Sequence, residues 1–222
     1  MVTHVVWDWN GTLYDDFHVV VDAAARACAS VGGPSIDAAA YRAHFTRPVQ
    51  RFYAAVLGRP VAEEEWRALN DLYLAAYREQ QAQASLATDA RAALAAVAAA
   101  GHTQSLLSMW DHDELVALVR QLGIDNAFVR VDGLRTREGG GKTAHLLRHL
   151  EAIAPAIDGE VLMVGDTTDD ATAAKAAGIR CVLMEDGPHP REALTACNVP
   201  LAGSLVHALE LGGALTVERS RA

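Results

Sequence analysis

The chain commits itself within its first fifteen residues. His4-Val5-Val6-Trp7 reads as a short buried strand, and Asp8-Trp9-Asn10-Gly11-Thr12-Leu13 follows it directly. A carboxylate at the carboxyl end of a strand, next to a glycine turn, stands where open α/β sheets bind ligands. Gly11 allows the backbone to turn tightly and to present N–H groups to an anion. From Asp16 to about Leu86 no strand is legible. About seventy helical residues between two strands exceed what a βα crossover needs, so this block reads as an insertion.

Within the insertion, Val19, Val20, Ala23, Ala24 and Ala27 mark one helix, ended by Gly32-Gly33-Pro34. A second is expected over Ser35–Phe45, a third over Val49–Leu57, and a long fourth over Ala62–Gln83. Glu63-Glu64-Glu65 opens the fourth, where the helix dipole favours negative charge. After Leu86 helices and strands alternate. Helices are expected at Asp89–Ala100, Leu115–Leu122, Thr143–Ala154, Ala171–Ala177, Pro190–Ala196 and Ser204–Leu211. Strands are expected at Thr103–Ser108, Ala127–Val131, Val161–Val164 and Arg180–Met184. This alternation implies a mostly parallel sheet covered on both faces. The expected architecture is α/β, a Rossmann-like doubly wound parallel core (1–15 and 86–222) with an inserted α-helical cap (16–85). Arg219-Ser220-Arg221-Ala222 is expected to fray.

Composition removes several classes of function. No run approaches the ~18 apolar residues of a membrane span, and the N-terminus lacks a basic and apolar export signal. Cys28, Cys181 and Cys197 suit neither a disulfide framework nor a zinc site, which places the chain in a reducing cytoplasm. A net charge of −9 without a basic run argues against nucleic acid and anionic membrane as partners. Only Lys142 and Lys175 are lysines. A compact ammonium in an arginine-rich chain points to a role that a planar guanidinium cannot fill.

Four strand ends or helix starts carry polar groups suited to one chemistry: Asp8; Ser108; Lys142; and Asp166 with Asp169 and Asp170 beyond it. Together they resemble the haloacid dehalogenase superfamily over nearly the whole chain. Asp8-Trp9-Asn10-Gly11-Thr12-Leu13 is similar to its first motif, usually D-x-D-G-T-L. Leu106-Leu107-Ser108 is similar to the second, Lys142 to the third, and Gly165-Asp166-Thr167-Thr168-Asp169-Asp170 to the fourth. The helical insertion resembles the family's small cap, and phosphoglycolate phosphatases are among the similar members.

The resemblance implies that Asp8 attacks phosphorus and forms an aspartyl-phosphate, dividing one displacement into two. Lys142, Ser108 and the backbone N–H groups near Gly11, Thr12 and Met109 would bind the phosphate. It also implies Mg²⁺ held by Asp8, the carbonyl of Asn10 and Asp166, with Asp170 holding a metal-bound water. Asp169 reads as a cap or surface residue. Arg47 and Arg51 are the candidate substrate contacts in the cap, weighed against a reading as ordinary surface arginines. The implied partner is a small phosphorylated metabolite bound by a monomer or homodimer. Cap motion is expected to hinge near Asp15-Asp16 and Ser85-Leu86.

Other readings are weaker. Gly139-Gly140-Gly141-Lys142-Thr143 suggests a nucleotide loop, but that motif needs glycine where Thr136 stands. Phosphonoacetaldehyde hydrolases share a D-W-x-G-T opening but need a cap lysine, and residues 16–86 contain none. Haloalkanoate dehalogenases work without metal, against the Asp166/Asp170 pair. Trp9 and Trp110 are candidates for pocket walls or for core packing.

One position departs from the pattern. Asn10 stands where the family's phosphatases carry an acid–base Asp, and an amide exchanges no proton near neutral pH. General acid–base catalysis contributes roughly 10²–10⁴-fold. Four explanations stand open: His112 or a cap residue takes the proton role, the leaving group needs little acid, the residue was introduced, or the protein is a slow enzyme, phospho-ligand binder or phosphotransferase.

Overall fold

The computed structural model describes residues 1–135 and 141–215. The glycines at 139 and 140, Thr136 and the C-terminal residues expected to fray lie outside the described residues. In chain order the elements are β1 (Val2–Trp7), β2 (Tyr14–Asp15), α1 (Phe17–Ser30), α2 (Ala38–His44), α3 (Val49–Leu57), α4 (Glu63–Gln80) and β3 (Ser85–Leu86). They continue as α5 (Ala90–Ala99), β4 (Thr103–Asp111), α6 (His112–Gln121), β5 (Val131–Leu134), α7 (Lys142–Ile153) and β6 (Glu160–Gly165). The last are α8 (Thr168–Ala177), β7 (Arg180–Met184), α9 (Arg191–Thr195), β8 (Leu201–Ala202) and α10 (Leu205–Gly212).

The chain divides into two compact units. One comprises Met1–Leu13, Leu86–Gly187 and Arg191–Ala222; the other comprises Tyr14–Ser85 and Pro188–Pro190. In the first, six parallel strands lie in the order β5-β4-β1-β6-β7-β8. From β1 the chain moves outward through β4 to β5. It then returns to the other side of β1 and moves outward through β6, β7 and β8. This is the doubly wound, Rossmann-like order, and the direction of winding reverses between β1 and β6.

Alternation along the strands sorts the core by face. Val6, Leu107, Met163, Cys181 and Leu183 form one cluster with Leu146 and Ile153 of α7 and Ala173 and Ala174 of α8. Leu162 points to the opposite face, against Gly212 of α10. The sheet is therefore covered on both sides, which explains why its strands read as apolar runs.

The helical unit has its own core. Ala24, Ala27 and Cys28 of α1, Tyr41 of α2, Phe52 and Tyr53 of α3 and Leu69 of α4 are buried together. Tyr41 packs on Phe52 with centroids 4.7 Å apart and stacks with Phe45 at 5.5 Å. The buried Asp16 carboxylate accepts a hydrogen bond from the Tyr77 hydroxyl at 2.6 Å, tying the start of α1 to α4.

Several elements depart from expectation. The strand expected at Ala127–Val131 begins only at Val131, and Asp125–Ala127 is a turn of 3₁₀ helix. Val129 does donate to the Gln104 carbonyl, so the apolar stretch is extended, but the regular strand runs on through Asp132 and Gly133. Ser108 does not end its strand, which continues to Asp111. α8 starts three residues before Ala171 because Thr167 caps it. α2 starts at Ala38, after the Asp37 carboxylate caps it by accepting from Ala40 N–H. The short strand β8 carried too few residues to show a period.

A buried polar chain crosses the face under α7. Asp132 Oδ2 accepts from His149 Nδ1 at 2.8 Å, and His149 Nε2 lies 2.8 Å from Ser105 Oγ. Ser105 Oγ is also 2.8 Å from His4 Nε2, and His4 Nδ1 is 2.7 Å from Thr103 Oγ1. One proton order satisfies every group: Thr103 donates to His4, His4 to Ser105, Ser105 to His149 and His149 to Asp132. His4 is fully buried, and burial followed by the neighbouring His149 lowers its pKa from 6.5 to about 4.

A base held neutral in the fold, but free to charge in the unfolded chain, favours the fold above its unfolded pKa. That contribution fades as pH falls from about 6.5 through about 4. Its total is about 3 kcal/mol. His4→Gln is less stable than the parent chain at pH 7, and urea midpoints show that gap narrowing by pH 4. A gap of unchanged size at both pH values would contradict this account of His4.

Candidate active site

β1 and β6 are neighbours in parallel register, with Trp7 opposite Val164. Each strand stops at a carboxylate. Asp8 follows β1, its N–H donating to the Val164 carbonyl at 2.8 Å, and Asp166 follows β6. The two acids therefore stand side by side at the carboxyl edge, where the winding reverses and an open α/β sheet has its crevice. The turn after Asp8 closes through Thr12 N–H on the Trp9 carbonyl at 3.2 Å, with Gly11 at φ 72°. Trp9 and Leu13 are buried and anchor that turn in the core.

Two helices deliver the remaining charges. α7 begins at Lys142, whose Nζ lies 2.6 Å from Asp8 Oδ1 and also contacts Asp170 Oδ1. α8 begins with a capping box. The Thr167 hydroxyl and N–H donate to Asp170 Oδ2 at 2.6 and 2.9 Å, and the Asp170 N–H turns back towards Thr167. The cap that starts the helix thus also fixes the carboxylate that holds Lys142.

All four charged groups are buried. Burial raises the Asp8 carboxyl to about 6, against the pull of Lys142. Burial, then Asp8 and Asp170, push Asp166 well above the ordinary carboxylate range, with Lys142 pulling the other way. Burial also opposes ionisation of Asp170, but Lys142 and the Thr167 hydrogen bonds outweigh it and lower its pKa. Burial alone would lower the Lys142 ammonium; Asp170 and Asp8 together raise it instead. Three carboxylates against one ammonium leave a formal excess of two negative charges.

That excess is the charge of one divalent cation. Carboxylate oxygens of Asp8, Asp166 and Asp170 all lie within 4.8 Å of one another. Both oxygens of Asp170 are engaged, one by Lys142 and one by Thr167, whereas Asp8 gives Lys142 only Oδ1, which leaves Asp8 and Asp166 as the acids with capacity to bind. Asp166 Oδ1 is buried without a hydrogen-bond partner among the described residues. The other oxygen of Asp166 is held in a cradle: a Cβ at Gly11 would come within 2.0 Å of it, and one at Gly187 within 2.5 Å. The donor set is hard oxygen, which suits Mg²⁺-class cations. These residues fit such an ion.

The remaining candidates fall in different places. Ser108 is buried in β4, and its Oγ accepts from the Trp110 N–H at 3.0 Å, which leaves its own proton free to donate. Met109 follows it in the same strand. Asn10 is half-buried in the Asp8 turn, and Thr12 is buried with its hydroxyl unpartnered among the described residues. His112 is the first residue of α6. Its ring faces Gly133 and Arg135: Nδ1 lies 3.2 Å from the Gly133 N–H and Nε2 2.6 Å from the Arg135 guanidinium, two donors of which a neutral imidazole accepts from one at a time. Trp9 is core, and Trp110 is half-buried. Arg47 and Arg51 belong to the helical unit and are exposed; Arg47 also lies over the Phe45 ring, 5.9 Å from its centroid.

Three positions were missed in the sequence. Thr167 was quoted in the fourth motif without a role, although Thr three residues before Asp is a capping-box spacing. Gly165 lies against Asp170, where a Cβ would come within 2.3 Å of the carboxyl carbon. Gly187 gave no signal, because its only local requirement is the approach of Asp166 from another strand end.

Comparison with known proteins agrees with this arrangement. The family of haloacid dehalogenase-like hydrolases matches residues 2–178. The probable phosphatase IndB of Dickeya dadantii is 28% identical over 201 residues, covering 86% of this chain and 85% of its own. A haloacid dehalogenase-like hydrolase structure from Streptococcus pneumoniae superposes with a TM-score of 0.78 at 19% identity, covering 94% of this chain and 97% of that one. The Mycobacterium tuberculosis protein tyrosine kinase A superposes with a TM-score of 0.77 at 23% identity, covering 95% and 98%. Both structures speak to the fold. With four-fifths of its length matched by the family, and the carboxylates of its first and last motifs gathered at one sheet edge, the chain belongs to the haloacid dehalogenase-like hydrolases.

Proposed function

We propose that this protein hydrolyses small phosphomonoesters with Mg²⁺, through an aspartyl-phosphate on Asp8. The observation that carries the reading is the buried Asp8 carboxylate held against Lys142 at the carboxyl edge of the sheet. A carboxylate there, fixed by an ammonium, is oriented to attack an electrophile arriving from the crevice.

The chain's own groups divide the work. Asp8 supplies the oxygen that bonds to phosphorus while the bond from phosphorus to the substrate oxygen breaks. Lys142 and the Ser108 hydroxyl meet the phosphoryl oxygens, where charge stabilisation matters most. Asp170 positions Lys142 and does not itself react. Mg²⁺ would be held by Asp8, Asp166 and the Asn10 carbonyl, and when bound it would neutralise charge between two anions that must approach each other. Water then hydrolyses the aspartyl-phosphate and regenerates Asp8.

Asn10 is the weak point of this cycle. The departing alkoxide needs a proton and the attacking water must lose one, and a carboxamide does neither. The substrates turned over best are therefore those with good leaving groups. The same residue favours a second reading, in which a long-lived aspartyl-phosphate passes its phosphoryl group to an acceptor other than water. One protein that shares the fold is the Mycobacterium tuberculosis protein tyrosine kinase A.

Activity against an aryl phosphate in Mg²⁺ is expected to disappear in Asp8→Ala. Asn10→Asp is expected to raise turnover of alkyl phosphates by roughly 10²–10⁴-fold. Release of inorganic phosphate measures both; activity surviving Asp8→Ala would end the proposal. Phosphorylated product appearing only with a hydroxyl acceptor would favour transfer.

Metal binding has a separate readout. A hundredfold excess of Mg²⁺ over its dissociation constant stabilises the folded chain by about 2.7 kcal/mol. For a chain of this size the melting temperature rises by roughly 5–10 °C. Asp166→Asn is expected to lose that rise while remaining as stable as the parent chain without metal, because it removes a carboxylate that burial already disfavours. An equal Mg²⁺-dependent rise in the variant would exclude Asp166 as a ligand.

A further inference from the structure

A second cleft, of about 450 Å³, lies between β5 and α7, away from the acidic group. Its lining is basic in a chain of net charge −9: Arg130, Arg135 and Arg148 stand against a single carboxylate, Asp132. That carboxylate is already committed, since Asp132 Oδ2 accepts from His149 Nδ1 and from Arg130 Nε. Arg148 makes no ion pair among the described residues. His145, Arg148 and His149 share one face of α7, at helical spacings of three and four residues.

His145 supplies a second, independent observation. Its ring bonds to the Ser108 carbonyl, yet Nε2 is buried with no partner among the described residues, and the residue is only 8% exposed. The ring's other nitrogen donates to that carbonyl, and burial disfavours the charged ring, so Nε2 is a buried lone pair that calls for a hydrogen-bond donor. The cleft beside it offers guanidinium groups, which match the oxygens of a phosphate-class anion. Its volume lies within the ordinary range for small-molecule sites.

We infer that this cleft binds a protonated phosphate-class oxyanion, its hydroxyl donating to His145 Nε2 and its other oxygens accepting from Arg148 and Arg130, as a site separate from the acidic group at Asp8. The site stands on α7, the helix that begins with Lys142, and it touches Ser108 through His145. An anion bound here lies against one of the elements that frame the Asp8 carboxylate, α7.

The test uses the full chain in EDTA, which removes divalent metal from the acidic group, with inorganic phosphate as the probe. Histidine ring signals are followed by NMR at constant ionic strength, against a sodium chloride control. Phosphate in the millimolar range is expected to shift the His145 and His149 signals in the parent chain, saturably. Arg148→Gln, an exposed change outside the proposed catalytic groups, is expected to weaken that binding about tenfold. An unaltered affinity in Arg148→Gln would overturn the site, as would shifts that chloride reproduces or no shift at all. Lys142→Gln tells the two places apart: it should leave these shifts intact, and their loss there would assign the phosphate to the acidic group and overturn the inference.

Discussion

Everything at the carboxyl edge depends on the cost of gathering three buried carboxylates around one ammonium. Like charges at this spacing repel, and burial adds to the penalty for each ionised acid. Lys142 answers only part of it, and it is claimed by Asp8 and Asp170 together. The acid left over is Asp166, whose carboxyl is pushed well above its ordinary range by burial and by Asp8 and Asp170. A fold does not retain such a group for stability, since a buried charge without a partner is a liability. Under the proposed function the excess is what a hard divalent cation, with a phosphoryl group beside it, would offset.

The same accounting bears on Asn10, which under the proposed mechanism would leave the fold and the metal site intact while altering the chemistry. An aspartate at position 10 would add a fourth carboxylate to a group already two charges in excess. The carboxamide adds none, and the backbone carbonyl at that position is unaffected. What is lost is a proton carrier. His112 is a poor replacement, because both its ring nitrogens are turned to Gly133 and Arg135. The described groups within the acidic cluster are no better: Asp170 is held ionised by Lys142, and the Lys142 ammonium is itself held charged. Under the proposed mechanism the chain would therefore form and break its phosphoryl bond with little proton assistance from this unit, and the substrate's leaving group would carry more of the rate.

Most of the sheet was legible because each parallel strand is buried on both faces and reads as an apolar run. β1, β6 and β7 were found within a few residues for that reason. β5 was not, because its regular part contains Asp132 and Gly133, and its carboxylate is buried through partners that lie on other elements. Asp8, Asp166 and Lys142 could be picked out by type and position, and the structure gathers them. The sequence could not show that Asp170 grips Lys142, or that Gly165 and Gly187 make room for carboxylates. Those facts depend on which strand ends become neighbours, and sheet order is not written in any local pattern. Thr167 is the exception, since its capping-box spacing was present and went unread.

The buried chain from Asp132 to Thr103 supplies the remaining step, the placement of Lys142. His149 of α7 bonds through Ser105 of β4 to His4 of β1, and on its other side to Asp132 of β5. One helix is thereby tied to three strands by groups that cannot be left unpaired in a dry interior. Apolar packing alone would tolerate a shift of α7 along the sheet, because Leu146 and Ile153 could find other apolar neighbours. The polar chain does not tolerate it. A shift of one turn would strand a histidine and a carboxylate together, at a cost of several kcal/mol. Lys142 begins the same helix, so the register that satisfies His149 also sets the ammonium against Asp8. β1 carries both ends of this arrangement, His4 within the strand and Asp8 just beyond it, four residues apart. The polar interior is in this sense part of the candidate site, although none of its members faces the crevice.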